Sequence, residues 1–258
     1  MRALGWLLAV LVVLALPAGA DADADAGEEV VAGLSQNTVA ITANFNGTEI
    51  LVFGAVKRAA PAPDEPLQVI VTVEGPVQEV TVRRKARWFG IWVNSDSVVV
   101  DSAPSFYAVA TSAPWAEAIS DTEDLRWKIS IPRAIRSVGA SVSDSPTFTE
   151  ALIRIRSSKG LYQSLPGSVS LAEETLFSTT VQLPANLIEG TYRARIFLTR
   201  NGRVIDAHTA EIGVHKTGIE RWLYHLSQEQ PLLYGILAIV IAIAAGWAAS
   251  AAFRFIRT

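Results

Sequence analysis

Short runs rich in Val, Ile and Thr dominate the first half of the chain, and apolar and polar positions alternate within them. Such alternation predicts β-strands, which we place at residues 38–44, 49–55, 68–74, 78–87, 89–93, 97–101 and 106–110. Turn residues separate some of these runs, at Asn46-Gly47, Gly75-Pro76 and 94–96. Short strands at such close spacing predict a β-sandwich, and we expect an immunoglobulin-like architecture.

The second half of the chain combines a helical segment with further strands. A short helix is expected at 114–120, and a longer one at 145–156, where Ser145-Pro146 supplies the N-cap and the first helical residue. Alternation resumes at 176–183, 190–200 and 203–214. The chain thus divides into an N-terminal β-sandwich module at 34–112, a helical segment at 113–160 and a C-terminal β region at 161–216. The pattern leaves open whether the two β regions share one core.

The first of two long apolar runs covers residues 4–16 and follows Arg2. A small-residue stretch comes next, so the pattern predicts a signal peptide at 1–20, cleaved after Ala20 or Ala22. A helix of this run is ~20 Å long, too short for a ~30 Å hydrocarbon layer, which disfavours an uncleaved signal anchor. Residues 21–33 are rich in Asp and Glu and are expected to form an acidic linker in solvent.

The second apolar run covers residues 232–253 and carries no charge. As a helix it would be ~33 Å long, enough to cross a bilayer, so we expect a transmembrane helix. A juxtamembrane helix is expected before it, at 217–231. Arg254 and Arg257 lie in the tail at 254–258, and basic residues favour the cytoplasmic side. Together the two runs predict a single-pass protein of a bacterial inner membrane, with most of the chain in the periplasm and the C-terminus in the cytoplasm.

Small residues recur at every fourth position of the second run, at Ala238, Ala242, Gly246 and Ser250. On a helix they share one face, which lets another helix backbone approach closely. We expect this face to pack against an integral membrane protein or against a second copy of the chain. The alternative is that an Ala-rich composition produces the repeat by chance.

The composition excludes several classes of function. A net charge of -3 and a pI near 5.7 do not fit a nucleic-acid-binding protein. The chain has no cysteine, which excludes disulfides, thiolate nucleophiles and cysteine-ligated metal centres. Motifs of nucleotide-binding loops, serine hydrolases and zinc proteases are missing from the sequence. No cofactor is expected, and a non-enzymatic role is favoured.

The densest group of basic residues comprises Arg83, Arg84, Lys85 and Arg87, and it adjoins Trp88. Because side chains alternate along a strand, Arg83, Lys85 and Arg87 would share one face, with the other two residues opposite. Such a face suits a small anion such as sulfate or sulfite, an anionic lipid headgroup or an acidic partner. The favoured interpretation is that these cations are solvated and protect the edge of a strand from pairing with another chain.

Two further groups are weak candidates. Asp206 and His208 share a strand face, but two ligands rarely make a metal site, so no metal is expected. A set of aromatic residues is interpreted as core packing rather than as a binding platform. Its members are Trp88, Trp92, Phe106, Tyr107 and Trp115.

Several strings are long and unusual. They read LSQNTVAITANFNGTE at 34–49, VRRK at 82–85, GIWVN at 90–94, PSFYAVA at 104–110 and GIERW at 218–222. The strands expected at 190–200 and 203–214 form a closing hairpin, since Asn201-Gly202 between them is a strong two-residue turn signal. With this hairpin and the second apolar run, the strings resemble Alph_Pro_TM, a transmembrane protein family of alphaproteobacteria. The resemblance implies an envelope protein whose genes tend to lie beside permeases similar to sulfite exporters. The family has no assigned catalytic residues, so none is carried over.

We therefore expect an accessory or partner-binding module for an inner-membrane permease. One alternative is a self-associating structural or adhesion-like envelope module. A periplasmic hydrolase without a recognisable motif is the other, because catalytic triads assemble from distant positions.

Overall fold

The computed structural model describes residues 27–42, 44–136, 145–217 and 226–256. The strands of this part are β1 (Glu28–Leu34), β2 (Thr38–Ile41), β3 (Thr48–Arg58), β4 (Leu67–Glu74), β5 (Val77–Trp88), β6 (Ile91–Pro104), β7 (Tyr107–Thr111), β8 (Tyr162–Leu165), β9 (Ser170–Ala172), β10 (Leu176–Leu183), β11 (Gly190–Arg200) and β12 (Arg203–Lys216). The helices named below are α1 (Trp115–Ala118), α2 (Asp121–Trp127), α3 (Ile131–Ala134), α4 (Ser145–Ser158) and α5 (Pro231–Ile256). The predicted signal peptide at 1–20, and residues 218–225 of the juxtamembrane helix predicted at 217–231, lie outside the described residues.

The strands form two large sheets and one separate hairpin. The four-stranded sheet has the order β1-β3-β10-β9, and the six-stranded sheet has the order β2-β12-β11-β4-β7-β8. Among the described pairings, only β2 with β12 and β7 with β8 are parallel. The predicted fold class is confirmed: the chain is mainly β, with a helical insertion and one C-terminal apolar helix. The immunoglobulin-like detail stays a prediction.

One apolar core lies between the two sheets and draws on both halves of the chain. In the four-stranded sheet, Ile50 of β3 pairs with Val181 of β10. In the six-stranded sheet, Val71 of β4 pairs with Ile196 of β11. All four side chains are buried in this core. The N-terminal and C-terminal β regions therefore share one core, which answers the question that the sequence leaves open.

A second core covers the opposite face of the six-stranded sheet. Ile70 and Phe197 of the sheet pack there with Phe148 of α4 and with Val82 and Val98 of the β5–β6 hairpin. Strands β4 and β7 are consequently buried on both faces, which explains their nearly unbroken apolar sequences. The molecule is layered as sheet, sheet, then helices with the hairpin base.

The prediction of an acidic linker at 21–33 is wrong for its last six residues, because residues 28–33 belong to a strand. Strand β1 begins at Glu28 and pairs with β3 along its whole length, with Val30 in the first core. The acidic composition concealed this strand. The charge of Glu28 is compensated inside the fold by Arg58 and Arg200, which are distant in sequence.

The predicted turn at 94–96 is also wrong. Strand β6 begins at Ile91 and passes through these residues, so it includes the strand expected at 97–101 and only the last three residues of the strand expected at 89–93. The pairing of β5 with β6 shifts next to Arg84, which opposes Asp96, and leaves Ser95 as the extra residue of a β-bulge. The single hydroxyl proton of Ser95 is shared between two acceptors, Asp96 Oδ2 at 3.0 Å and the backbone oxygen of Arg84 at 3.3 Å from Oγ. Polar residues typical of turns thus stabilise a bulge instead.

The helical segment contains more elements than expected. Helices α1 and α4 match the two predicted helices, and α4 extends two residues further, to Ser158. Helix α2 is capped by Ser120, whose hydroxyl accepts a hydrogen bond from the Glu123 amide. Helices α2 and α3 and strands β8 and β9 are not predicted by the sequence pattern. Three of these four elements are only three or four residues long, too short for the pattern to show a period.

Candidate functional site at the tip of the β5–β6 hairpin

The β5–β6 hairpin ends in a two-residue turn made by Phe89 and Gly90. Both have positive φ, 47° and 87°, as a type I′ turn requires. The last pairs before the turn are Trp88 with Ile91 and Arg87 with Trp92. A Cβ built on Gly90 has no atom within 4 Å, so the turn stands clear of the described part of the molecule.

The tip exposes four large apolar side chains. The exposed fractions are 65% for Trp88, 98% for Phe89, 66% for Ile91 and 68% for Trp92. Trp88 and Phe89 contact each other edge to face, with ring centroids 5.9 Å apart. We call these four residues the apolar tip. Exposed aromatic side chains gathered in one place mark an interaction surface, since single exposed apolar residues are ordinary but clusters are not.

The basic cluster lies directly behind the apolar tip on β5. The register confirms the expected alternation: Arg83, Lys85 and Arg87 share the face of Trp92, and Arg84 and Trp88 lie on the other. The guanidinium carbon of Arg84 lies 4.5 Å from the centre of the Phe148 ring, so this cation contacts α4 rather than projecting with the others. We call Arg83, Lys85 and Arg87 the basic collar.

The root of the hairpin is firmly held. Val82, Val98 and Val100 are buried in the second core, beneath α4. The hairpin is therefore an arm whose base is packed and whose distal part has both faces in solvent. Between Val80 and Val100 the sequence carries four cations and one carboxylate, that of Asp96. The arm presents a basic surface that ends in an apolar tip.

The structure divides the predicted aromatic set. Phe106 and Tyr107 are fully buried, and Trp115 packs against the second core, so the core interpretation is correct for these three. It is wrong for Trp88 and Trp92, which lie at the tip. The sequence carries only a weak signal for this difference, because Gly90 suits a type I′ hairpin turn but Phe89 is not one of the residues that such turns favour.

Asp206 has a structural role. Its Oδ2 accepts a hydrogen bond of 2.7 Å from the backbone amide of Val30, and so joins β12 to the start of β1. Within the described ranges, His, Asp and Glu side chains form no group of three or more that is placed to bind a metal.

Glu28 is a buried carboxylate whose contacts sequence reasoning missed. It accepts hydrogen bonds from Arg58 Nε at 2.6 Å and from Arg200 Nη2 at 2.9 Å. Burial raises the pKa of the Glu28 carboxyl, but the hydrogen bonds and charges of the two arginines outweigh burial and hold the pKa below its usual 4.5. This ion-pair group joins β1 and β3 of the four-stranded sheet to β11 of the six-stranded sheet.

Tyr107 links the helices to the six-stranded sheet. Its hydroxyl donates a hydrogen bond of 2.6 Å to the backbone oxygen of Ile129 and accepts one of 3.3 Å from Arg195 Nη2. Burial, only partly offset by the Arg195 charge, raises the pKa of Tyr107 to about 12. The residue is neutral at physiological pH and serves as a structural hydrogen-bond donor.

A basic cleft of about 530 Å³ lies beside the hairpin root, next to Val77 and Ser102. Arg193 also lines it and donates to Glu74 Oε2 at 3.2 Å. Three further cations reach it from the α2–α3 region, namely Lys128, Arg133 and Arg136. No sequence spacing predicts this cleft, because its cations come from separate elements.

Helix α5 is a second exposed apolar surface. From Pro231 to Ser250 its mean hydropathy is 2.3, and none of that window is buried within the molecule. By length and composition it is the one helix of the described residues able to cross a membrane. Gly246 lies in open space, with no atom within 4 Å of a Cβ built on it.

The comparisons with known proteins bear on this architecture. The family model described as "Putative transmembrane protein (Alph_Pro_TM)" matches residues 29–255. No curated protein matches the chain. Seven chains of solved structures match, among them the sporulation control protein Spo0M from Bacillus subtilis, with 12% identity and a TM-score of 0.27. That match covers 78% of this chain and 54% of the other, so this chain spans about half of the Spo0M chain.

At that TM-score the likeness to Spo0M carries no argument about this chain. The family match does carry an argument, since it extends from Glu29 in β1 to Phe255 in α5 and so includes both sheets, the hairpin and the apolar helix. The chain belongs to the Alph_Pro_TM family of transmembrane proteins.

Proposed function

We propose that the protein is a non-enzymatic accessory module of the bacterial inner membrane. Helix α5 anchors it by one span, the β region lies in the periplasm after removal of a signal peptide, and the C-terminus lies in the cytoplasm. Its partner is an integral membrane protein, a permease similar to the sulfite exporters that the family resemblance suggests.

The observation that carries this proposal is the exposed surface of α5. A helix of this length that belonged to a soluble fold would bury one face against the body, whereas no part of the α5 window is buried. The apolar run requires an apolar surrounding, and a bilayer supplies it. The anchor then holds the β region at the membrane surface.

The small-residue face of α5 supports a protein partner within the bilayer. Ala238, Ala242, Gly246 and Ser250 are four residues apart, so they lie on the same side of the helix. Lipid tails are as apolar as leucine, and helices in membranes associate mainly through close packing of such small residues. A helix that only anchored the chain would not require this face.

The β5–β6 hairpin supports an interaction role for the exported part. Its root is packed in the second core, and its distal part exposes an apolar tip and a basic collar to solvent. A periplasmic module with such an arm is suited to contact a surface beside its own membrane anchor.

The test is purification of the full-length protein from native membranes in mild detergent, followed by identification of the proteins that co-purify. The disrupting variant is Ala242→Leu with Gly246→Leu, which adds bulk to the small-residue face. The matched control is Ala244→Leu with Ala248→Leu. These positions lie about 200° around the helix from the first pair, and the control adds comparable bulk.

A permease that co-purifies with the native protein and the control, and is lost from the disrupting variant, is the expected result. Homodimers lost from the same variant would favour the self-associating alternative instead. Partners unaffected by the variant would make α5 an anchor only. Turnover of ester, phosphate or glycan probes by the purified protein would revive the hydrolase alternative.

A further inference from the structure

We propose that the apolar tip of the β5–β6 hairpin inserts into the interface of a bilayer that contains anionic lipids, with the basic collar at the headgroups. The proposal uses the membrane anchor α5 but does not depend on any protein partner. It assigns the basic cluster a lipid surface as its ligand rather than a free anion or an acidic protein.

The chemistry of the tip favours the membrane interface. Trp is enriched where hydrocarbon meets headgroups, because its ring is apolar while its indole N–H can still donate to polar groups. Two of the four tip residues are Trp, and the other two, Phe89 and Ile91, are apolar without any polar atom on the side chain. All four are at least 65% exposed, so inserting them disrupts no packing within the molecule.

The spacing of apolar and basic residues matches the depth of an interface. A strand rises about 3.3 Å per residue, so Arg87 lies ~7 Å behind Phe89 and Lys85 ~13 Å behind it. Apolar faces of interfacial segments enter the headgroup and acyl boundary by about 5–10 Å. When Phe89 reaches the acyl boundary, Arg87 and Lys85 therefore lie within or just above the headgroup layer.

The charge of the arm favours an anionic surface. Each Lys or Arg near such a surface contributes about 1 kcal/mol, or roughly a fivefold change in the partition between bound and free. The collar supplies three cations on the face of Trp92, and Asp96 lies on the opposite face. The collar face therefore carries no carboxylate between Val80 and Val100 that would repel anionic headgroups.

The anchor explains why so small a tip suffices. Four apolar side chains would bind a membrane weakly by themselves, as single lipid chains do. Helix α5 converts insertion of the tip into an intramolecular event, for which effective concentrations reach the millimolar range. A protein partner for the tip would lack this advantage unless it were itself held at the arm.

The test uses the full-length protein reconstituted into vesicles. The chain has no cysteine, so Phe89→Cys provides a single site for an environment-sensitive fluorophore at the turn. A second preparation carries Thr209→Cys, at an exposed position of β12, as the reference site. Vesicles contain phosphatidylcholine alone or with phosphatidylglycerol, and either type can include lipids that bear a nitroxide quencher.

We expect the label at position 89 to be quenched by the nitroxide lipids in vesicles with phosphatidylglycerol, and the label at 209 to remain unquenched. The variant Lys85→Gln with Arg87→Gln should lower the ratio of inserted to free tip by about 25-fold, from two cations at roughly fivefold each. The control Lys159→Gln with Arg203→Gln makes the same change of net charge on exposed residues outside the arm and should leave quenching unchanged.

A label at 89 that is quenched no more than the label at 209 would overturn the proposal. So would quenching that is insensitive to Lys85 and Arg87. If detergent-solubilised native membrane proteins shield the label but lipids do not, the tip binds a protein and the lipid assignment is wrong. The variant Ala242→Leu with Gly246→Leu should leave tip quenching intact, so failure of the permease proposal is distinguishable from failure of this one.

Discussion

At the scale of single residues, Glu28 forms two buried ion pairs, and we expect their loss to lower the stability of the fold. The carboxylate has 3% of its side chain exposed, and Arg58 and Arg200 have 14% and 10%. Removing one partner of a buried ion pair leaves the others desolvated and uncompensated. The position of Glu28 at the start of β1 means that these contacts also hold the first strand in place.

We expect Glu28→Gln to lower the free energy of unfolding by about 3 kcal/mol. Glu29→Gln is the matched control, because Glu29 pairs with Lys57 at the surface and such pairs contribute about 0–1 kcal/mol. Chemical denaturation of the detergent-solubilised protein, followed by near-ultraviolet circular dichroism, gives both values. Equal losses from the two variants would contradict the structural role of Glu28.

The same residue predicts a dependence on acid. The pKa of Glu28 is lowered in the folded state, so its contribution to stability is present above pH 4.5 and is lost as the pH falls through the folded value. The stability difference between the native protein and Glu28→Gln should therefore shrink below pH 4.5. Unfolding curves measured from neutral to acid pH would show this, and a constant difference would refute it.

At the scale of elements, the four-stranded sheet depends on a glycine at its centre. Gly54 of β3 pairs with Ala32 on one side and Phe177 on the other. A Cβ at this position would lie 2.5 Å from the Phe177 ring and 2.5 Å from the backbone oxygen of Val31. Neither neighbour can move without disturbing the sheet.

We expect Gly54→Ala to destabilise the protein by about 1–3 kcal/mol through overpacking. Gly246→Ala is the control for the loss of a glycine, because a Cβ there meets nothing. The midpoint temperatures of thermal unfolding of both variants, compared with that of the native protein, measure the loss of stability. A Gly54→Ala protein as stable as the native one would show that the approach of β1, β3 and β10 is looser than described.

The elements also show where sequence reasoning succeeds. Strands β10 and β11 were predicted with their observed ends, because their alternation is regular and Gly190 and the Asn201-Gly202 turn mark the boundaries. Strand β1 was missed because its charges are neutralised by residues far away in sequence. The turn predicted at 94–96 is wrong because a β-bulge contains the same types of polar residue as a turn.

The sequence predicts the basic cluster of the candidate site but not its apolar tip. The two faces of the basic cluster follow directly from strand periodicity, and the register agrees. The role of Trp92 was not foreseen, because burial statistics favour Trp in the core and only the three-dimensional fold shows that the second core ends at Val82 and Val98. The cleft lined by Arg193 and the α2–α3 cations is likewise a product of tertiary structure.

At the scale of the whole molecule, two sheets and a helical layer enclose two apolar cores. Apolar side chains outside these cores include those of the hairpin tip and of helix α5, and also Val31, Leu51 and Phe53 on the outer face of the four-stranded sheet. The tip has the Trp and apolar residues that favour the membrane interface, and α5 is long enough to cross the hydrocarbon layer.

The central claim is that α5 crosses the membrane and holds the β region outside the cytoplasm. The most direct measurement uses single cysteines in the otherwise cysteine-free chain, one from Thr209→Cys in β12 and one from Thr258→Cys at the C-terminus. Each is treated with a membrane-impermeant maleimide in spheroplasts. The account predicts that position 209 is labelled in intact spheroplasts and that position 258 is labelled only after the membrane is permeabilised. Labelling of position 258 in intact spheroplasts, or protection of position 209, would contradict it.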